Sequence, residues 1–322
     1  MIKKFLVKQG QGGVRLDLFL SLQMDQFTRS FIKKQINDNR VKVNGDIEYR
    51  GNYKAKEKDE VVIDFEDIPE EKNVIPENIE IEILYEDKDL IAVNKPEGMV
   101  VHPASGNASG TLVNALLYRY KHLKNVGDKI RTGLINRIDK DTSGIVLVGK
   151  TNRALWFYSR QFANREIEKT YLAVVKGDFS KRVHGNNQLK VSNYLARNPK
   201  NRTKFAVVAP GEGRLAISRF KLIDISIDRS YSLLEVNIET GRTHQIRVQL
   251  SALGYPVVGD KVYSNVKNNR LLLHAYKIKL TLLNGSYHEI EAQVRGELQK
   301  FLENNFNKMK IVQYSKPQSK NK

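Results

Sequence analysis

The chain contains no cysteine. Disulfides, thiolate nucleophiles and cysteine-ligated zinc are therefore excluded, and the absence suits a reducing compartment, read here as the cytoplasm. Tryptophan occurs once, at position 156, and reads most simply as core. Acid is in deficit: 36 Asp and Glu stand against 54 Lys and Arg, a formal charge of +18 over 322 residues. No apolar run reaches the roughly 18 residues of a membrane span. The first ten residues, Met1 to Gly10, lack the apolar core of a signal peptide. The six histidines form no i,i+4 pair and no His-Glu-x-x-His pattern, so no metal site is expected. Gly106 to Thr111 lacks the Gly-Lys-Ser/Thr ending of a phosphate loop, and no nucleotide or flavin motif appears; the expected cofactor list is empty.

What is present is basic charge and enough apolar residue, 40%, for a substantial core. A field of this sign seeks a polyanion, and without a membrane segment the expected partner is nucleic acid. Four stretches divide the chain. Residues 1–65 read as a small basic unit, with a helix over Val14–Leu20 and a second over Arg29–Ile36 that Thr28 caps. An alternating Val41-Lys42-Val43 then runs into the turn dipeptide Asn44-Gly45, and a strand at 60–64 follows. Residues 66–80 carry two prolines and mostly acidic charge, as an extended linker would. From 81 to 308, strands at 89–96, 171–177 and around 234–238 alternate irregularly with helices at 111–120 and 152–164. That order predicts an α+β fold with a mixed, largely antiparallel sheet. Residues 309–322 read as a basic flexible tail.

The densest chemistry lies in Asn136-Arg137-Ile138-Asp139-Lys140-Asp141-Thr142-Ser143-Gly144. One carboxylate, Asp139, stands between two cations and ahead of a hydroxyl pair. The apolar run Ile145–Val148, closed by Gly149, reads as a buried strand. A loop entering such a strand is a common place for a reacting group. A second segment, Glu168-Lys169-Thr170-Tyr171-Leu172-Ala173, starts a strand with an aromatic hydroxyl. A third, Thr240-Gly241-Arg242-Thr243-His244-Gln245-Ile246-Arg247, leads from a strand into a helix whose N-terminus favours an anion.

These blocks, with Lys95-Pro96-Glu97-Gly98 and His102-Pro103 before them and Gly259-Asp260 and Leu273-His274-Ala275 after them, resemble in order the RluA-type pseudouridine synthases. The first unit, through Arg15-Leu16-Asp17, Thr28-Arg29-Ser30 and Val43-Asn44-Gly45, resembles the S4 RNA-binding domain. The resemblance implies an isomerase that converts RNA uridine to pseudouridine without cofactor. It implies Asp139 as the catalytic residue, acting as nucleophile at the sugar or as base at C2′. It places Tyr171 against the extruded uracil, by stacking or proton movement, and Arg242 in a pair that keeps the Asp139 carboxylate charged and aimed. The family has His where this chain has Asn136, which cannot titrate near neutral pH. His102 and His274 read as structural. The basic residues Arg15, Arg29, Lys33, Lys34 and Arg40 are the expected RNA contacts of the first unit. Arg137 is expected to fill the gap left by the flipped base. An S4-like unit ahead of this catalytic unit resembles family members acting on large-subunit ribosomal RNA, and a monomer is the default. Two alternatives stand beside this reading. One is a non-catalytic RNA-binding assembly factor of the same fold. The other is a glycosidase using Asp139 with Asp141.

Overall fold

The computed structural model describes residues 2–24, 29–64, 74–104, 106–127, 132–183, 185–201, 203–266 and 268–315. Thr28 and parts of the expected linker and tail lie outside them.

The N-terminal unit is a four-stranded antiparallel sheet of β1 (Ile2–Leu6), β2 (Val41–Val43), β3 (Asp46–Ile47) and β4 (Glu60–Asp64), in the order β1-β4-β2-β3. Two helices, α1 (Leu16–Gln23) and α2 (Arg29–Asn37), supply Leu16, Phe19, Leu20, Ile32 and Ile36 to a core shared with Val41, Val61 and Ile63. Asn44 and Gly45 both take positive φ, 54° and 93°, as a tight two-residue hairpin turn requires. Asn44 is further fixed by donating to Asp59 and accepting from the Glu60 amide, each at 2.8 Å. Strand β1 escapes a sequence reading because Ile2 and Leu6 face outward, so apolar alternation gives no inward face.

The larger unit is a ten-stranded sheet. Its strands are β5 (Glu82–Glu86), β6 (Leu90–Lys95), β7 (Ser143–Gly149), β8 (Glu168–Lys176), β9 (Gln188–Arg197), β10 (Phe205–Val208), β11 (Arg214–Ile225), β12 (Tyr231–Ile238), β13 (Leu273–Thr281) and β14 (Tyr287–Glu291). They run β10-β9-β11-β12-β8-β13-β7-β6-β5, with β14 on β13. Neighbours are antiparallel except β13 and β7, which pair in parallel at His274–Ser143 and Ala275–Gly144. The α+β class with a mixed, largely antiparallel sheet is what the irregular strand–helix order predicts.

Helices cover both faces, which is why β7 is buried along its whole length. Helix α3 (Leu112–Arg119) packs on Val93, Val146 and Val148, while α4 (Asn152–Asn164) packs on Ala92, Ile145 and Leu147 from the other side. Along β8, Ala173 and Val175 meet α5 (Gln245–Ala252), and Leu172 and Val174 meet α6 (Gly296–Asn305) and α7 (Lys308–Ser315).

Two expectations are corrected. The flexible tail is instead helical over 308–315. Ile311 and Tyr314, one helical turn apart, are buried against the sheet, and Lys310 meets Asp224 at 2.8 Å. Trp156 is 59% exposed rather than core. The inward face of α4 is set by Leu155, Tyr158 and Phe162, which turns position 156 outward, with Arg160 stacked 5.5 Å from its ring.

Candidate active site

Asp139 sits in the loop that feeds β7, and that loop is tied down from both sides. Asn136 Oδ1 accepts the Leu147 amide at 2.7 Å and its Nδ2 donates to the Ile145 carbonyl at 3.4 Å, stitching the loop to the strand it precedes. Asn136 therefore acts on the backbone and has no need to titrate. On the other side Lys95, fully buried at the end of β6, donates through Nζ to the carbonyls of Pro96, Met99 and Lys140 at 2.7, 2.9 and 2.9 Å. Burial pushes its amine down to about 7, while Asp141 and Asp139 pull it back up. At Gly144, φ is 113° and a Cβ would collide with the Ala275 backbone, so only glycine lets β7 lie this close to β13.

The guanidinium beside Asp139 belongs to Arg247. Its Nη1 donates to Asp139 Oδ2 at 3.1 Å. Its Nε and Nη2 grip Asp260 at 2.7 and 2.8 Å. Asp260, itself buried, also accepts the amides of Val262 and Tyr263. Burial opposes the charge on Arg247, but Asp260 and then Asp139 more than offset it. The expected Arg242–Asp139 pair is not formed. Arg242 Nε donates instead to the Leu215 carbonyl at 3.0 Å, and its amide donates to Gln245. The difference follows from where α5 begins. Arg242 precedes the helix, whereas Arg247 lies in its buried first turns beside Val248 and Leu250.

His244, which sequence reading left without a role, completes the surroundings. It caps α5 in the left-handed region, φ 56°, a strained state for a non-glycine residue. Its Nε2 lies 3.8 Å from Asp139 Oδ2, and its Nδ1 lies 2.9 Å from the Tyr263 hydroxyl. That hydroxyl also accepts the Phe205 amide at 2.7 Å, which ties the imidazole to strand β10. Burial lowers the imidazole's pKa against the pull of Asp139.

Asp139, Tyr171, Arg242, His244 and Arg247 line one cavity of about 310 Å³ whose apolar wall includes Ile138, Ile238 and Leu273. Burial, and then the charge of Asp139, push the Tyr171 phenol well above its ordinary range. Thr142 also lines the cavity, and its buried hydroxyl has no hydrogen-bond partner among the described residues. His274 is structural: Nδ1 meets Ser143 Oγ at 2.7 Å and Nε2 donates to the Ala292 carbonyl at 2.8 Å. Among the described residues no three His, Asp or Glu side chains converge as metal ligands would.

The expected RNA contacts are scattered. Lys33 and Lys34 are exposed on α2, Arg15 is exposed but gripped by Asp17 at 3.0 and 3.1 Å, and Arg40 is half-buried. The side chain of Arg29 lies outside the described residues. Arg137 is exposed at the cavity mouth.

Asp139, aimed by Arg247 into a cavity that a phenol also lines, is an arrangement suited to nucleophilic or acid–base chemistry. Comparison with known proteins narrows this. The RNA pseudouridylate synthase family matches residues 89–252, and the chain belongs to that family. It is therefore a pseudouridine synthase, an RNA-modifying isomerase. It is 41% identical over 249 residues to an uncharacterized RNA pseudouridine synthase of Aquifex aeolicus, covering 77% of this chain and 76% of that one. It is 35% identical over 310 residues to the ribosomal large subunit pseudouridine synthase D of Borreliella burgdorferi, covering 94% and 92%. Among solved structures, human RNA pseudouridylate synthase domain containing 1 shares the fold at a TM-score of 0.54 and 20% identity, over 77% of this chain and 99% of that one.

Proposed function

We propose that this enzyme isomerises uridines of large-subunit ribosomal RNA, with Asp139 as the residue that acts on the sugar. The carrying observation is the half-held carboxylate. Oδ2 of Asp139 is fixed by Arg247, while Oδ1 accepts no hydrogen bond among the described residues and borders the cavity. A carboxylate held on one oxygen and free on the other is aimed without being quenched. Relatives named ribosomal large subunit pseudouridine synthase D, at 35 and 39% identity, support the choice of RNA.

The target base leaves the stack and enters the cavity, at a cost of a few kcal/mol. Exposed Arg137, at the mouth, fills the space left behind. Asp139 attacks C1′ or removes the C2′ proton, and the N1–C1′ bond breaks. The uracil turns against Ile138, Leu273 and the ring of Tyr171, and C5 joins C1′ as the Asp139 carboxylate leaves that carbon or, on the other route, as Asp139 returns the proton to C2′. The proton lost from C5 is balanced by the one N1 gains. Tyr171 takes part as a neutral phenol, because burial disfavours its anion. Arg247 holds the place that the resemblance implied for Arg242, and Arg242 serves RNA binding at the cavity rim. Residues 1–65 act as an S4-like RNA-binding unit through the exposed α2 face with Lys33 and Lys34, together with Arg15, Arg29 and Arg40.

The test is chemical mapping of pseudouridine in large-subunit RNA incubated with the wild-type enzyme and with Asp139→Asn. Loss of product with retained RNA binding is expected. Substantial product from Asp139→Asn would remove the assignment.

A further inference from the structure

Beside the reaction cavity lies a second hollow of about 410 Å³, and the two share Arg137, Tyr171 and Arg242 in their walls. Its own contribution is Arg165, Lys169 and the ring of Phe162. Lys169 and Tyr171 are two apart on β8, so both point to the same face, about 7 Å from each other along the strand. Lys169 is only 8% exposed, and its ammonium lies 5.4 Å from the Phe162 ring. No carboxylate pairs with it, nor with Arg137, Arg165 or Arg242, among the described residues. The one acid in the wall, Glu239, is turned to Arg219 at 2.9 Å and Lys190 at 4.0 Å. Burying an ammonium without an anionic partner is costly, and gathering three guanidinium groups around it adds to the cost. The strain shows in the groups themselves: burial, then Arg165, lowers the pKa of Lys169, and burial, then Arg214 and Arg165, lowers that of Arg242.

Such a cluster is stable once an anion sits in it, and the placement says which anion. The backbone of Arg165 is fixed as the left-handed cap of α4, φ 63°, with its amide donating to the Phe162 carbonyl, and the residue lines the hollow. Arg242 is fixed by its bond to the Leu215 carbonyl, which leaves its terminal nitrogens to the hollow. Because the two hollows share the walls of Tyr171, Arg137 and Arg242, the second is within reach of the phosphodiester next to a base held in the first.

We propose that the hollow formed by Lys169, Arg165 and Arg242 is a subsite for the backbone phosphate adjoining the flipped uridine. The inference rests on the RNA reading above and deepens it. Arg165 and Arg242 can each offer paired N–H donors to phosphate oxygens, and Lys169 supplies a point charge from behind. The subsite reads no base, so it serves to hold the strand in register while the base is extruded.

The test compares wild type, Arg165→Gln, Lys169→Met and the double variant on large-subunit RNA, measuring affinity against salt, KM and single-turnover rate. Arg165 is exposed, so its replacement leaves folding intact even where Lys169→Met does not. Each single change is expected to weaken binding on the order of tenfold at low salt. The double variant should flatten the slope of log affinity against log salt by about 0.7–0.9 for the lost phosphate. Lys169→Arg should restore most of the loss. The effect should fall on KM more than on the single-turnover rate. Neutralising the phosphates flanking the target as methylphosphonates should weaken wild type and have little further effect on the double variant. Variants with unchanged slope and affinity, beside an active wild type, would overturn the subsite alone. A wild type that makes no pseudouridine in this RNA while the variants still bind it more weakly would overturn the choice of target and spare the subsite.

Discussion

Asp260 holds Arg247 by two parallel hydrogen bonds of 2.7 and 2.8 Å, and so decides where the third nitrogen of that guanidinium points. It points at Asp139, 3.1 Å away. Asp260→Asn is expected to keep the volume but replace one acceptor with a donor, which repels the fork. Turnover should drop on the order of a hundredfold through misplacement of Arg247. The buried guanidinium left half-paired should cost about 3–5 kcal/mol of stability. Single-turnover assays and urea titration check both. Wild-type turnover in this variant would show that Asp139 needs no such brace.

Arg247 and Arg242 should separate by kinetic signature. Arg247→Ala is expected to lose most of the chemical step with RNA still bound, and Arg247→Lys should rescue little, since a lysine cannot grip both carboxylates. Arg242→Ala should raise KM more than it lowers the rate at saturating RNA. The reverse pattern would return the partner role to Arg242.

Lys95 makes an activity profile testable by pH. As an ammonium it has one hydrogen for each of its three carbonyls; as a neutral amine it has two. With the amine near 7, the anchor at Lys140 weakens as pH rises through that value. The single-turnover rate should fall over that range, and Lys95→Met should be slower at low pH and lack the inflection. The same inflection in Lys95→Met would assign it to another group.

His274 should make the fold acid-sensitive. Burial, against the bond to Ala292, holds its pKa at about 4, below the usual 6.5. Below pH 6.5 the unfolded imidazole takes a proton that the folded one refuses until about 4. Stability therefore declines as pH falls through that window, by roughly 2 kcal/mol between 6.5 and 5. Urea titrations at both pH values should show the decline in wild type and a flatter dependence in His274→Asn. Equal slopes in the two proteins would place the sensitivity elsewhere.

Much of this was legible in the chain itself. Strand β7 announced itself as an apolar run between glycines, and α4 as Leu155, Tyr158 and Phe162 at helical spacing. Asp139 and Tyr171 could be singled out because each sits in a compact local pattern. The pairing of Arg247 could not, because it depends on Asp260, thirteen residues on, and on which side of a helix start each arginine falls. Helix α7 was hidden by its polar composition, since only Ile311 and Tyr314 betray a buried face. Lys169 carries no local signal of burial, and only the fold shows it walled in beside a phenyl ring.

The short parallel seam between β13 and β7 has a consequence for how the protein comes to life. Asp139 travels with β7, Tyr171 with β8, and within the sheet they are brought together by β13, which is translated after both. A nascent chain that has already displayed its basic N-terminal unit still lacks a finished reaction centre. The reaction centre therefore closes only when the thirteenth strand slots home.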